Sequence, residues 1–165
     1  MSNYKNFSEL IRSATFGVED SLVSTVGLLS GVASAGLEKT TIILTGIVLI
    51  VVEALSMAVG EIMAIESEEE AKTHKEFNIR KTIPAAIIMF VAYVLAGLIP
   101  LTPYVLLDKY FAFPVSIIMS ILGLFGYGFA YGKRMKLDGF LHGFRMMVLG
   151  GSAIAIGVLV GGLFR

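Results

Sequence analysis

The sequence predicts an all-α, multi-pass transmembrane bundle of five helices, with the N-terminus inside and the C-terminus outside. Three observations carry this reading. Of 165 residues, 56% are hydrophobic and only 16% charged, well below the quarter usual in soluble domains. The apolar residues come in runs long enough to cross a bilayer, which takes about 20 residues. Lysine and arginine fall on alternate connections. On the inside are Lys5, Arg12, Lys72, Lys75, Arg80, Lys81, Lys133, Arg134, Lys136 and Arg145; on the outside are only Lys39, Lys109 and Arg165. That bias sets the orientation.

The first span is expected near 17–37. An amphipathic stretch before it, Phe7 to Phe16, is expected along the membrane interface. Completing the span draws Glu19 and Asp20 into its first turn. The second is expected near 41–64, followed by an acidic helical extension into the cytoplasm over about 65–80. The third, near 83–101, starts with Pro84 in its first turn, where a missing N–H costs little, and is expected to end at Pro100 and Pro103. Pro114 is expected to open the fourth, near 113–131. The fifth is expected near 144–164. Gly27/Gly31, Gly128/Gly132 and Gly157/Gly161 have the small-xxx-small spacing that lets membrane helices pack closely. The whole chain reads as one domain.

Composition and motifs exclude several functions. A net charge of zero and no basic face leave nucleic acid without a site. With no cysteine there is no disulfide and no thiolate ligand. H-E-x-x-H, G-x-S-x-G and P-loop signatures are missing, so no enzymatic activity is expected.

The informative residues are acids inside the spans: Glu19, Asp20, Glu53 and Glu61. A charge at the bilayer centre costs at least about 2.5 kcal/mol, so such groups face a polar cavity or a partner. Asp20, Ser24, Gly27 and Gly31 form one stripe of the first helix. Glu53, Met57, Gly60 and Ala64 form one stripe of the second, with Glu61 at its border. Glu53 and Glu61 are about 12 Å apart along the axis. The expectation is that Asp20 and Glu61 share a pocket near the cytoplasmic side, with Glu53 deeper. Carboxylates with a thioether from Met57 or Met63 suit Fe²⁺ or Mn²⁺, and the same carboxylates can take protons when the metal leaves. For each residue a structural role stands beside this one: headgroup-layer acids at a helix start for Glu19 and Asp20, an interfacial place for Glu61, an interhelical hydrogen bond for Glu53, packing for Met57. Along the extension, Glu66, Glu69, Glu70 and His74 read either as a metal-collecting strip or as a solvated charged helix with internal pairs such as Glu68–Lys72.

Three segments resemble the vacuolar iron transporter family. GVEDSLVSTVGLLSGVASAG in the first span is similar to its G-x-N-D-G-L-V-S-T segment. ALSMAVGEIMAIESEEE is similar to its A-L-S-M-A-x-G-E-Y-x-S segment. RMMVLGGSAIAIGVLVGGLFR resembles its R-x-x-x-G-G close. The resemblance implies Fe²⁺ or Mn²⁺ moved out of the cytosol in exchange for protons, by a homodimer with its pathway near the subunit interface. Asp20, Met57 and Glu61 match motif positions, while Glu53 rests on the residue argument alone. The metal is then a transported substrate, and no tightly bound cofactor is expected. The expected location is the cell membrane in a prokaryote or a vacuolar-type membrane in a eukaryote. Glu19 stands where the family usually has Asn, and Ser21 where it has Gly. The plant type's long Glu-rich domain between spans two and three is replaced here by about twenty residues. The rival readings are a carrier or channel for protons or another small solute, and a non-transporting scaffold subunit.

Overall fold

Hydrocarbon cannot hydrogen-bond a peptide group, so an apolar segment entering it must satisfy its own backbone, and a helix does so within one run. The computed structural model follows that rule. It describes residues 2–74 and 79–164, with side chains from Phe7 onward. Its elements are α1 (Ser2–Ser34), α2 (Lys39–Thr73), a 3₁₀ turn at Ile79–Lys81, α3 (Ile83–Leu106), α4 (Lys109–Arg134) and α5 (Gly139–Leu163). Three connections are only a few residues long, so the helices they join run antiparallel.

Four helices, α2 to α5, are long and apolar enough to cross a membrane. The chain is therefore an integral, multi-pass membrane protein. Of the five helices expected to span, α1 has the length but not the composition. Glu19, Asp20, Ser21, Ser24, Thr25 and Ser30 dilute its apolar content. The bundle nonetheless closes around it, because α1 packs against α2, α3, α4 and α5.

Helix ends differ from the sequence expectations for identifiable reasons. The 7–16 stretch is no separate interfacial element; it is the first half of a continuous 33-residue α1. α2 has 35 residues, about 52 Å against a hydrocarbon core of about 30 Å, so it does carry an extension beyond the bilayer. That extension stops at Thr73, short of residue 80. His74 closes it in the left-handed region, at φ 53°, its N–H donating to the Glu70 carbonyl. Residues 75–78 of the expected extension lie outside the described residues. α3 runs through Pro100 and Pro103 to Leu106; membrane helices tolerate interior proline because neighbouring helices and hydroxyls can satisfy the freed backbone groups. The Pro100 carbonyl accepts the Ser116 hydroxyl of α4 at 2.7 Å. α4 begins at Lys109 after the Asp108 N-cap, so Pro114 sits inside it. α5 starts at Gly139, where Asp138 caps the Leu141 N–H at 3.2 Å.

The polarity pattern is that of a protein in lipid. Leu44, Ile47, Val51, Leu55 and Val59 of α2 all point outward, while Ser13, Ser21, Thr25, Ser30, Ser116 and Ser120 are fully buried. Buried hydrocarbon is concentrated where Leu29, Ile42, Ile50, Leu101, Tyr104 and Ala112 join four helices. The glycine pairs sit at helix crossings. A Cβ on Gly157 would stand 2.3 Å from the Gly27 carbonyl oxygen, and one on Gly161 2.0 Å from that of Gly31. On α4, a Cβ at Gly132 would meet the Gly139 Cα at 2.7 Å, and at Gly128 the Gly143 Cα at 2.9 Å.

Candidate metal pathway along helices α1, α2 and α3

The register of α1 against α2 fixes the site. Glu61 is 7% exposed. Its Oε1 accepts the Ser13 hydroxyl at 2.7 Å and the Arg12 guanidinium at 2.8 Å. A carboxylate with so little water needs such charged and hydrogen-bonding partners. The Ser13 hydroxyl also lies 2.8 Å from the Glu9 carbonyl. It carries one proton, so it serves the carbonyl or the carboxylate at any instant.

Because the helices are antiparallel, moving seven residues up α1 from Ser13 and seven back along α2 from Glu61 brings Asp20 level with Ala54. Asp20 accordingly lies within electrostatic reach of Glu53. This corrects the expected pairing. Asp20 sits about 10 Å deeper than Glu61, because α1 begins near residue 2 instead of near 17. The two acids line different cavities. Glu61 opens into one of about 520 Å³ with Arg12, Phe16, Ser56, Met57, Gly60, Ala64 and Met89. Asp20 lines one of about 320 Å³ with Phe16, Glu19, Val23, Leu149 and Gly150. Phe16 belongs to both walls and stands between them.

The predicted stripe of α2 holds: Met57, Gly60 and Ala64 line the Glu61 cavity, with Glu53 two turns deeper. The stripe of α1 splits. Ser24 turns to α3, where its hydroxyl meets the Tyr93 hydroxyl at 2.8 Å, whereas Gly27 and Gly31 meet α5. Tyr93 is fully buried and within electrostatic reach of both Asp20 and Glu53. Its carbonyl accepts the Ser21 hydroxyl at 2.6 Å.

Sequence reasoning missed four members of this region: Arg12, Ser13, Met89 and Tyr93. Arg12 counted only toward orientation. Tyr93 did carry a signal, as a hydroxyl-bearing ring in the middle of an apolar run. Met89 carried none, since methionine is ordinary filler. In the α2 extension, Glu66, Glu69 and Glu70 are half-buried and His74 is exposed. Lys72 pairs with Glu68. Among the described residues, no three His, Asp or Glu side chains gather closely enough to hold a metal ion within one copy of the chain.

Comparison with known proteins places this arrangement. Vacuolar iron transporter homolog 4 of Arabidopsis thaliana is 27% identical over 93% of this chain and 83% of its own length. Vacuolar iron transporter homolog 3 of the same plant is 29% identical over 93% and 82%. Vacuolar iron transporter homolog 1 of Oryza sativa subsp. japonica is 27% identical over 93% and 73%. The VIT family model matches residues 11–82 and 71–162, taking in both the Arg12–Glu61 contact and the level of Asp20 and Glu53, and the chain belongs to that family.

Proposed function

We propose that the chain is a divalent-metal transporter that moves Fe²⁺ or Mn²⁺ out of the cytosol in exchange for protons, with five spans, an inside N-terminus and a homodimeric assembly. One observation carries this reading: α1 and α2 carry acids at two depths, Glu61 in a cavity with the Met57 thioether and, deeper, Asp20 within electrostatic reach of Glu53. Oxygen and thioether donors together suit Fe²⁺ and Mn²⁺ better than Mg²⁺ or Ca²⁺. Intramembrane carboxylates are also the usual carriers of exchanged protons. The names of the relatives support metal as the cargo. The lysine and arginine bias supports the orientation.

Purified protein in liposomes tests it. Mn²⁺ uptake, with proton movement in the opposite sense, is expected from the native chain. It should fall at least about tenfold in Asp20→Asn and in Glu61→Gln, a loss of about 1.4 kcal/mol or more. Unchanged uptake in both folded variants removes the metal pathway. Proton flux indifferent to metal would assign the carboxylates to proton movement alone, and no flux of any kind would leave a scaffold.

A further inference from the structure

The geometry points to Arg12 as a tethered cation that holds the substrate's place at the cytoplasmic mouth and makes that mouth selective for doubly charged ions. This rests on the transport reading for its place in a cycle, but the binding behaviour it predicts stands separately. Glu61 is almost fully buried, while the Arg12 side chain that neutralises it is 54% exposed. A buried carboxylate that stays ionised needs a counter-charge. The protein supplies one on a long, flexible stem with its head half in water, so it can leave without moving the helix.

Arg12 also has somewhere to go. It lines a second cavity, of about 460 Å³, shared with Phe7, Ser8, Thr15 and Glu19 among others. Glu19 lies two turns further along α1, on the same face. Arg12 thus stands between two carboxylates in two adjoining cavities. Ser13 keeps a donor at Glu61 when the guanidinium departs. The Glu61 cavity also contains Met57 and Met89, whose sulfurs offer nothing to a guanidinium but can bind a transition metal.

Charge selectivity follows. A monovalent ion that displaces Arg12 replaces one positive charge with another and gains little. A divalent ion brings an extra charge and takes up thioether donors, so it can win the exchange.

The test titrates Mn²⁺ into the detergent-solubilised full chain, reading free Mn²⁺ by electron paramagnetic resonance. Arg12→Gln should bind Mn²⁺ about tenfold more tightly than the native chain, the equivalent of losing one modest charge-assisted hydrogen bond as competitor. K⁺ should then weaken that binding far more than it does in the native chain. Arg12→Lys should restore native affinity and K⁺ resistance, and Glu61→Gln should lose the tight site. Glu19→Gln, which leaves the ion pair intact, should bind Mn²⁺ about threefold less tightly because Arg12 has lost its alternative partner. Unchanged or weaker binding in Arg12→Gln, or native affinity in Glu19→Gln, overturns the proposal. Uptake by the native chain in liposomes separates the two ideas. Tight, K⁺-sensitive binding in Arg12→Gln with no native uptake would sink the transport reading and leave the tethered cation standing. Native uptake with Arg12→Gln binding unchanged would do the reverse.

Discussion

Asp20 and Glu53 lie within electrostatic reach of one another and of Tyr93. Like charges in a poorly solvated place repel far more strongly than in water, and a cation between them turns that repulsion into attraction. Mn²⁺ should therefore stabilise the native chain in detergent, by about 2.7 kcal/mol when present at a hundred times its dissociation constant. Glu53→Gln should retain or exceed native stability without metal and lose most of the metal-dependent rise in Tm. A full rise in that variant would show that Glu53 is no part of the site. Tyr93→Phe removes the hydroxyl shared with Ser24. It should cost about 1 kcal/mol of stability while lowering Mn²⁺ uptake severalfold, because the lost group stands beside the acid pair. A stability loss with native uptake would confine Tyr93 to packing. These acids were legible in the sequence because hydrocarbon makes a charge conspicuous. The donors to Glu61 were not, because Arg12 and Ser13 acquire that meaning only once the register of two antiparallel helices is known.

At the scale of elements, the glycine crossings decide how closely α1 can lie against α5 and α4 against α5. A side chain at Gly161 has nowhere to go, since even a Cβ would stand 2.0 Å from the Gly31 carbonyl oxygen. Gly161→Leu should force the two helices apart and destabilise the protein by about 2–3 kcal/mol, read as lowered resistance to unfolding in SDS. Gly126, with nothing within 4 Å of its would-be Cβ, is the internal control. Gly126→Ala should be neutral or stabilising by up to about 1 kcal/mol. Equal gains at both sites would mean that helix propensity and not close approach governs these positions. The glycine spacing was readable in advance because close approach tolerates no larger residue. Helix ends were less so. Pro100 and Pro103 look like terminators in sequence and Pro114 like an opener, yet all three lie inside helices, where a membrane bundle tolerates proline because neighbouring groups can satisfy the freed backbone. The Ser116 hydroxyl bonded to the Pro100 carbonyl comes from another helix.

At the scale of the whole molecule, α1 stands apart from the other helices: its composition alone does not qualify it as a span, while its packing puts it among four helices that do. The chain has no cysteine, so single cysteines can report sidedness without a background. With five spans and an inside N-terminus, Ser8→Cys, Ser67→Cys and Lys136→Cys should react with a membrane-impermeant maleimide only in inverted vesicles. Glu38→Cys and Asp108→Cys should react only from the outer face. If α1 instead lies along one surface, Ser8→Cys and Glu38→Cys must label from the same side. The remaining three positions would still alternate, because α2, α3 and α4 cross regardless. The physical argument favours crossing. Gly27 and Gly31 are locked against Gly157 and Gly161 near the end of α5, while Ser13 is hydrogen-bonded to Glu61 in the second half of α2. A helix pinned near both ends to two membrane-crossing partners has to traverse the space between those contacts. Placing its acids there, in hydrocarbon, costs free energy that only a shared polar interior offsets.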